Sequence, residues 1–183
     1  MALRDSNHQK RAATTLRTFR IPKNLIPALE SEAEARGISV NAVVTSLIAK
    51  YENWDRFAER FRFVALTDEL IKGLLSHLTD EEIGQIGSTI GARTTEEGMM
   101  FWYKEASAES LVTYLRNRCR FANFGNLEYE RRGSGHLIAL QHGMGRKWSL
   151  FIQCSIESVL KNRLGIAPQI EVSDTMVIVH FTA

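Results

Sequence analysis

The chain has 183 residues, of which 44% are hydrophobic and 24% are charged. This composition is typical of a folded globular protein with room for one large or two small domains, and it excludes a disordered chain. No segment approaches the roughly 20 consecutive apolar residues that cross a bilayer, and the polar N-terminus lacks the apolar core of a secretory signal. We therefore expect a cytoplasmic protein that has no membrane partner.

Basic residues are concentrated at the N-terminus. Residues 1–23 hold six Lys or Arg side chains against one Asp, a net charge of +5, so the other 160 residues carry −3 of the total of +2. A basic arm on a mildly acidic body favours a polyanion as the partner, and nucleic acid is the commonest soluble polyanion. The alternative is a solvated terminal tail without a ligand. In either case we expect residues 1–13 to form a flexible basic arm.

The segment TLRTFRIPKNL, which begins at Thr15, predicts a short strand followed by a helix. Its residues alternate between two faces, with Arg17, Phe19 and Ile21 on one and Leu16, Thr18 and Arg20 on the other. Pro22 cannot donate a sheet hydrogen bond but fits the first turn of a helix. No strand-like segment follows within the next thirty-odd residues. The strand must therefore pair with a distant segment or with another chain.

Two helices are predicted after this strand. The first runs from about Lys23 to Arg36, and Gly37 follows it as a helix-ending residue would. Ser39 is a good N-cap for the second helix. That helix carries one apolar stripe, formed by Val40, Val43, Val44, Leu47, Ile48 and Tyr51. Neither helix can bury its apolar residues within so short a segment, so two interlocked copies are the arrangement that satisfies the helices and the strand together.

Residues 14 to about 54 resemble the ribbon-helix-helix family of Arc, MetJ and CopG type repressors. The resemblance rests on the alternating strand LRTFRI, the helix start at Pro22, and the turn RGISVN, which fits the family's G-x-S-x-[NS] pattern through Gly37, Ser39 and Asn41. It implies an intertwined homodimer, a two-stranded ribbon in the major groove of double-stranded DNA, and sequence-specific transcription regulation, as a repressor in the named examples. We assign residues 14–58 to this DNA-binding domain.

Residue roles follow from this resemblance and from alternation. If Phe19 and Ile21 face the helices, the opposite face of the ribbon reads bases, and it carries Leu16, Thr18 and Arg20. The family's readers are usually polar, so Leu16 departs from the pattern. Phosphate contacts are expected from side chains near the ribbon and the arm and from the start of the second helix, namely Arg17, Lys23, Ser39, Val40, Asn41, Lys10 and Arg11. Ser39 can also be an ordinary N-cap without a ligand.

Residues 59–183 predict an α+β domain with a helical start and an antiparallel hairpin-helix-hairpin end. The segment 55–66 is either a continuation of the second helix or a linker that leads into a short strand. Two capping boxes are predicted, Thr79 with Glu82 and Thr94 with Glu97, the second opening a long helix from about Thr95 to Phe121. The first hairpin turns at residues 133–135, and the helix between the hairpins ends at Gly165.

The order of these elements is loosely similar to small-molecule-sensing domains of the 4-vinyl reductase and haem-NO-binding-associated group. The domain is therefore expected to oligomerise the protein or to bind a small-molecule effector. Trp102, Tyr103 and Trp148 can line a ligand pocket, although a place in the core is favoured for aromatic residues at helical spacing. That group has a cysteine-bearing final hairpin. This chain lacks one, because Cys119 and Cys154 both fall in predicted helices.

No catalytic residue, metal site or cofactor is predicted. His77, His136, His142 and His180 show no HxH or HxxxH spacing, and the two cysteines are 35 positions apart. A Cys154 and His142 nucleophilic pair has no support beyond the presence of both residue types. The alternative to DNA binding is a dimerising protein-interaction module, such as an antitoxin or a partition-type adaptor. On the DNA-binding hypothesis the protein associates with the nucleoid when bound.

Overall fold

The computed structural model describes residues 14–58 and 60–183. Its backbone divides into two compact units, of which the first ends at Ile48 and the second runs from Ala49 to Ala183. This division falls inside a helix. The sequence-based boundary, between residues 58 and 59, instead follows the end of the same helical run.

The first unit contains the two predicted helices. A 3₁₀ turn, Lys23–Leu25, leads into helix α1, Ile26–Ala35, and helix α2 covers Val40–Lys50. Both helix predictions are confirmed. The strand predicted in the segment that begins at Thr15 is not confirmed. Residues 14–22 form neither a helix nor a strand, have no sheet partner among the described residues, and are exposed.

Helix α2 continues beyond Lys50 as one helical run. A π-helical turn, Tyr51–Asp55, is followed by the short helix α3, Arg56–Ala58. Residues 61–66 form no strand in the structure. Of the two alternatives for this segment, the continuing helix is therefore correct as far as Ala58.

The second unit continues with four helices, whose bounds decide two predictions. They are α4, Asp68–Ser76, then α5, Asp80–Ile86, then α6, Ala92–Tyr103, and α7, Ala108–Ala122. The capping box of Thr79 and Glu82 is present, with the Thr79 N–H donating to Glu82 at 2.7 Å and the Glu82 N–H donating to Thr79 at 3.2 Å.

The predicted second capping box and the long helix after it are wrong. Thr94 lies inside a helix, where its hydroxyl donates to the Ile90 carbonyl at 2.8 Å. A π-helical turn, Gly87–Gly91, joins α5 to α6 without a break, so no helix begins near Thr94. The break comes later, where Lys104 adopts a left-handed φ of 62° and Ser107 caps α7.

The two predicted hairpins are confirmed, and they form one antiparallel sheet. The strands are β1, Asn126–Arg132, β2, Gly135–Gln141, β3, Gln169–Val172, and β4, Met176–Thr182. Their order across the sheet is β1-β2-β4-β3, with Ile138 of β2 opposite Val179 of β4. Helix α8, Arg146–Ser158, connects the hairpins and ends in a π-helical turn, Val159–Arg163. Gly165 follows with a φ of 68°, as the predicted helix end requires.

The core of the second unit lies between one face of the sheet and the helices. It contains fully buried side chains from α6, α7, α8 and the two central strands, among them Met99, Leu111, Ile152, Ile138 and Val179. The α5–α6 run packs so closely on α8 that a Cβ atom at Gly87 would lie 2.7 Å from the Phe151 carbonyl oxygen. Only glycine fits at that crossing.

The coarse prediction of an α+β fold with an antiparallel sheet is therefore confirmed. Among the described residues, no helix combines the length and apolar composition needed to cross a membrane.

Candidate nucleic-acid interface

The segment before α1 presents both of its predicted faces to solvent. Leu16 is 92% exposed and Phe19 is 67% exposed, although both are large apolar side chains. The backbone leaves this segment at Pro22, whose carbonyl accepts a hydrogen bond from the Leu25 N–H at 3.0 Å. The proline therefore ends the extended segment and opens the helical turn in the way that the sequence indicates.

The cationic side chains of this segment have no acidic partner in the part of the chain that the structure describes. Arg17, Arg20 and Lys23 are exposed, and no ion pair within the described residues includes any of them. The acidic residues within residues 14–48 instead lie on α1, where Glu32 pairs with Arg36 at 3.5 Å. The extended segment thus offers positive charge that is available to an external anion.

The turn between α1 and α2 depends on a left-handed residue. Gly37 has a φ of 61°, and the Ile38 N–H donates to the Ala33 carbonyl at 3.0 Å. A residue with a Cβ atom would be strained at this φ. The glycine therefore brings the chain back sharply enough for α2 to begin at Val40.

The start of α2 has two N–H groups without a partner in the described chain. The Ser39 hydroxyl accepts from the Ala42 N–H at 3.2 Å, and the Ser39 carbonyl accepts from the Val43 N–H at 3.1 Å. Ser39 is therefore an N-cap, which is the first of its two predicted roles; the second role is to contact a phosphate. The N–H groups of Val40 and Asn41 have no acceptor among the described residues, which is usual in the first turn of a helix and suits an anion there.

Apolar side chains of the first unit are exposed to an unusual degree. Within residues 14–48 the buried residues are Ala33 and Val43. The side chains of Leu25, Leu47 and Ile48 are exposed by 49%, 53% and 55%. Most of the large apolar side chains in residues 14–48 are therefore exposed in the single chain.

The predicted site residues are thus divided between three places. Leu16, Arg17, Thr18 and Arg20 lie on the exposed segment, and Lys23 begins the 3₁₀ turn that follows it. Ser39, Val40 and Asn41 lie together at the start of α2. Lys10 and Arg11 lie outside the described residues, as does the whole of the predicted arm.

Among the histidine candidates of the second unit, His142 is held by internal hydrogen bonds. The Met144 N–H donates to His142 Nδ1 at 3.2 Å, so Nε2 carries the proton and donates to Ser149 Oγ at 3.0 Å. Ser149 in turn donates to the Ser173 carbonyl at 2.5 Å. His142 is therefore bonded to a serine and not to Cys154, and desolvation by burial lowers its pKa.

Burial also makes both thiols poor nucleophiles. It raises the pKa of Cys119 to about 11, and it raises the pKa of Cys154 above its ordinary value. No group of three or more His, Cys, Asp or Glu side chains in the described part of the chain is arranged to hold a metal ion.

The predicted aromatic residues fall in different environments. Trp102 lies in an aromatic cluster, with its ring centroid 5.6 Å from that of Trp54, and Tyr103 accepts a hydrogen bond from Asn117 at 3.0 Å. Trp148 lines a cavity beside Arg118. Sequence reasoning missed Arg118, because the cavity is assembled from segments far apart in the chain and no local pattern marks it.

Comparison with known protein families, curated proteins and solved structures finds no match to this chain.

Proposed function

We propose that the protein is a dimeric, sequence-specific DNA-binding regulator of transcription, with a ribbon-helix-helix arrangement in residues 14–58. The observation that carries this proposal is the exposed segment of residues 14–22, which pairs with no strand that the structure describes. Two antiparallel copies of such a segment satisfy each other's backbone N–H and C=O groups.

Dimerisation also accounts for the exposed apolar residues. When two strands pair, Phe19 and Ile21 of each copy lie on the same face of the ribbon, because side chains alternate. That face can cover the exposed side chains of Leu25, Leu47 and Ile48 in the two subunits. Two copies together then form the apolar core that a single copy lacks.

The opposite face of the ribbon presents groups that can read bases. Arg20 can donate two hydrogen bonds to guanine O6 and N7, and Thr18 can bond to a base edge or touch a thymine methyl. Leu16 offers only apolar contact. Arg17, Lys23 and the predicted arm residues Lys10 and Arg11 supply charge for phosphates, while the free N–H groups of Val40 and Asn41 suit a phosphate at the start of α2.

Selection of bound duplexes from a random pool, with the affinity of the selected duplex measured against salt, tests this proposal. We expect one preferred sequence with two related half-sites, and an affinity that falls steeply with salt because phosphate contacts release counterions. No enrichment of any sequence would contradict the proposal. Copurification of a stoichiometric protein partner in that case would favour the protein-interaction module.

Arg20→Ala tests the groove assignment. We expect the loss of about 1–3 kcal/mol of binding free energy for the selected duplex, with relaxed preference at one base pair of each half-site, because a bidentate guanine contact is removed. Arg163→Ala is the matched control, since Arg163 is exposed in the second unit. Equal affinities of the Arg20 variant and the parent protein for every duplex would exclude Arg20 as a reader.

A further inference from the structure

The second unit contains a cavity of about 500 Å³ that the proposed DNA contacts do not use. Its lining comes from the π-helical turn after α2, the irregular segment before α4, the C-terminal part of α7 and the region around the start of α8. The volume falls within the range of roughly 300–1,000 Å³ that is usual for small-molecule pockets. All of the lining residues belong to the second unit, so the cavity is a property of that unit alone.

Five aromatic side chains contribute to the lining, namely Trp54, Phe63, Phe121, Phe124 and Trp148. Trp54 stacks on Phe63 with ring centroids 5.3 Å apart and an interplanar angle of 10°. The ring centroids of Phe124 and Trp148 lie 5.2 Å apart. Trp148 Nε1 is buried and has no acceptor among the described residues. Such walls favour a flat aromatic ligand, which gains ring contacts beyond simple apolar burial.

Arg118 supplies positive charge to the cavity lining. Its guanidinium carbon lies 4.0 Å from the centroid of the Phe124 ring, and the planar group is thereby held against an aromatic face. No carboxylate within the described residues lies within 4.0 Å of the guanidinium. Its other aromatic neighbour is Tyr114, whose ring centroid lies 5.8 Å from the guanidinium carbon. Asp68 is the other charged side chain of the lining, and it is not close enough to pair with Arg118.

We propose that this cavity binds a small planar aromatic carboxylate. The rings of Trp54, Phe124 and Trp148 pack against the ligand ring, and the Arg118 guanidinium binds the carboxylate with two parallel hydrogen bonds. A fatty acid is disfavoured because a flexible chain gains little from flat ring surfaces and loses rotational freedom on binding. The site does not depend on the DNA-binding proposal, since none of its residues belongs to the exposed N-terminal segment.

Titration of the full chain with three probes, benzoate, 2-naphthoate and indole-3-acetate, tests the proposal by calorimetry. We expect at least one of them to bind with one molecule per chain and to quench tryptophan fluorescence, because Trp54 and Trp148 line the cavity. The neutral 2-naphthamide and the aliphatic octanoate are the matched comparison ligands. Absence of binding by all three carboxylates would overturn the proposal, as would octanoate binding as tightly as the best aromatic acid.

Arg118→Gln identifies the cavity as the site. This change should weaken the best carboxylate by about tenfold or more, because a charge-assisted bidentate contact is lost, and should leave the affinity for 2-naphthamide nearly unchanged. Arg118→Lys retains the positive charge but not the planar guanidinium. Its affinity for the carboxylate should lie between those of the parent protein and Arg118→Gln. Arg116→Gln is the control, since Arg116 is exposed on the same helix and does not line the cavity.

Two measurements keep these variants interpretable. Thermal unfolding of Arg118→Gln and Arg118→Lys shows whether each variant is folded at the titration temperature. Ala122→Trp adds a large ring to the cavity lining without removing Arg118, and it should reduce carboxylate binding by obstruction. Unchanged carboxylate affinity in both Arg118→Gln and Ala122→Trp would show that the ligand binds elsewhere and would exclude this cavity as its site.

Discussion

The two units of this protein differ in where their apolar side chains lie. In the second unit, helices and a four-stranded sheet enclose a core that includes Ile152, Leu160 and Val179 at 1% exposure or less. In residues 14–48, only Ala33 and Val43 are buried. Because apolar burial is the main favourable contribution to folding, the second unit can be stable within one chain. The described part of the first unit forms both of its predicted helices but buries few apolar side chains, and in the proposed dimer the second copy supplies the missing burial.

The largest expected effect is in the second unit. Ile152→Ala removes a fully buried side chain from α8 and leaves a cavity, so it should lower the free energy of unfolding by about 2–5 kcal/mol. Urea unfolding followed by tryptophan fluorescence measures this value. The loss should be the same at low and high protein concentration, because the core is internal to one chain. If the loss of unfolding free energy disappears at high protein concentration, the core of the second unit is not internal to one chain, and the contrast between the two units is wrong.

The first unit should behave in the opposite way. Leu47→Ala removes a side chain that is 53% exposed in one chain but is buried in the proposed dimer, so it should weaken dimerisation by up to about 3 kcal/mol. Sedimentation equilibrium at several concentrations measures the dissociation constant. Leu70→Ala, at a leucine that is 49% exposed on α4, is the matched control and should leave it unchanged. Identical dissociation constants for Leu47→Ala and the parent protein would exclude this face as the dimer contact.

A smaller effect separates the two roles of Ser39. Ser39→Ala removes the oxygen that accepts from the Ala42 N–H and should cost about 1 kcal/mol of stability. Ser39→Asp keeps a capping oxygen but places a negative charge where a DNA phosphate is proposed. It should retain stability and weaken duplex binding, as measured by thermal unfolding and by fluorescence anisotropy. Unchanged duplex affinity in the aspartate variant would leave Ser39 as an N-cap alone.

The smallest expected effect is a pH dependence of the second unit. Burial disfavours the charged form of His142, so its pKa in the folded protein lies below the ordinary value of 6.5. The contribution of the neutral imidazole is therefore complete above about pH 6.5 and is lost as the pH falls through the lowered pKa, because the unfolded chain takes up the proton first. His142→Gln should flatten the stability profile between about pH 7 and pH 5. If the free energy of unfolding in urea changes with pH equally in His142→Gln and in the parent protein, His142 is excluded as the source of the pH dependence.

Sequence reasoning succeeded where the signal is local. The helix end at Gly37, the capping box of Thr79 and Glu82, and both hairpins are determined by residues within a few positions of one another. It failed at Thr94 for a reason that is not local. The Gly87–Gly91 segment stays helical because it packs against α8, and a start signal inside an uninterrupted helix has no effect.

The sequence by itself determined the two helices on either side of Gly37, the two C-terminal hairpins with a helix between them, and the alternation of residues along the exposed N-terminal segment. These properties follow from backbone geometry and from short-range hydrogen bonds, which neighbouring residues decide. The tertiary structure alone decided that Arg118 meets an aromatic cavity and that His142 bonds to Ser149. Those contacts join residues from separate helices, strands and loops, and the position of each depends on how the whole core packs.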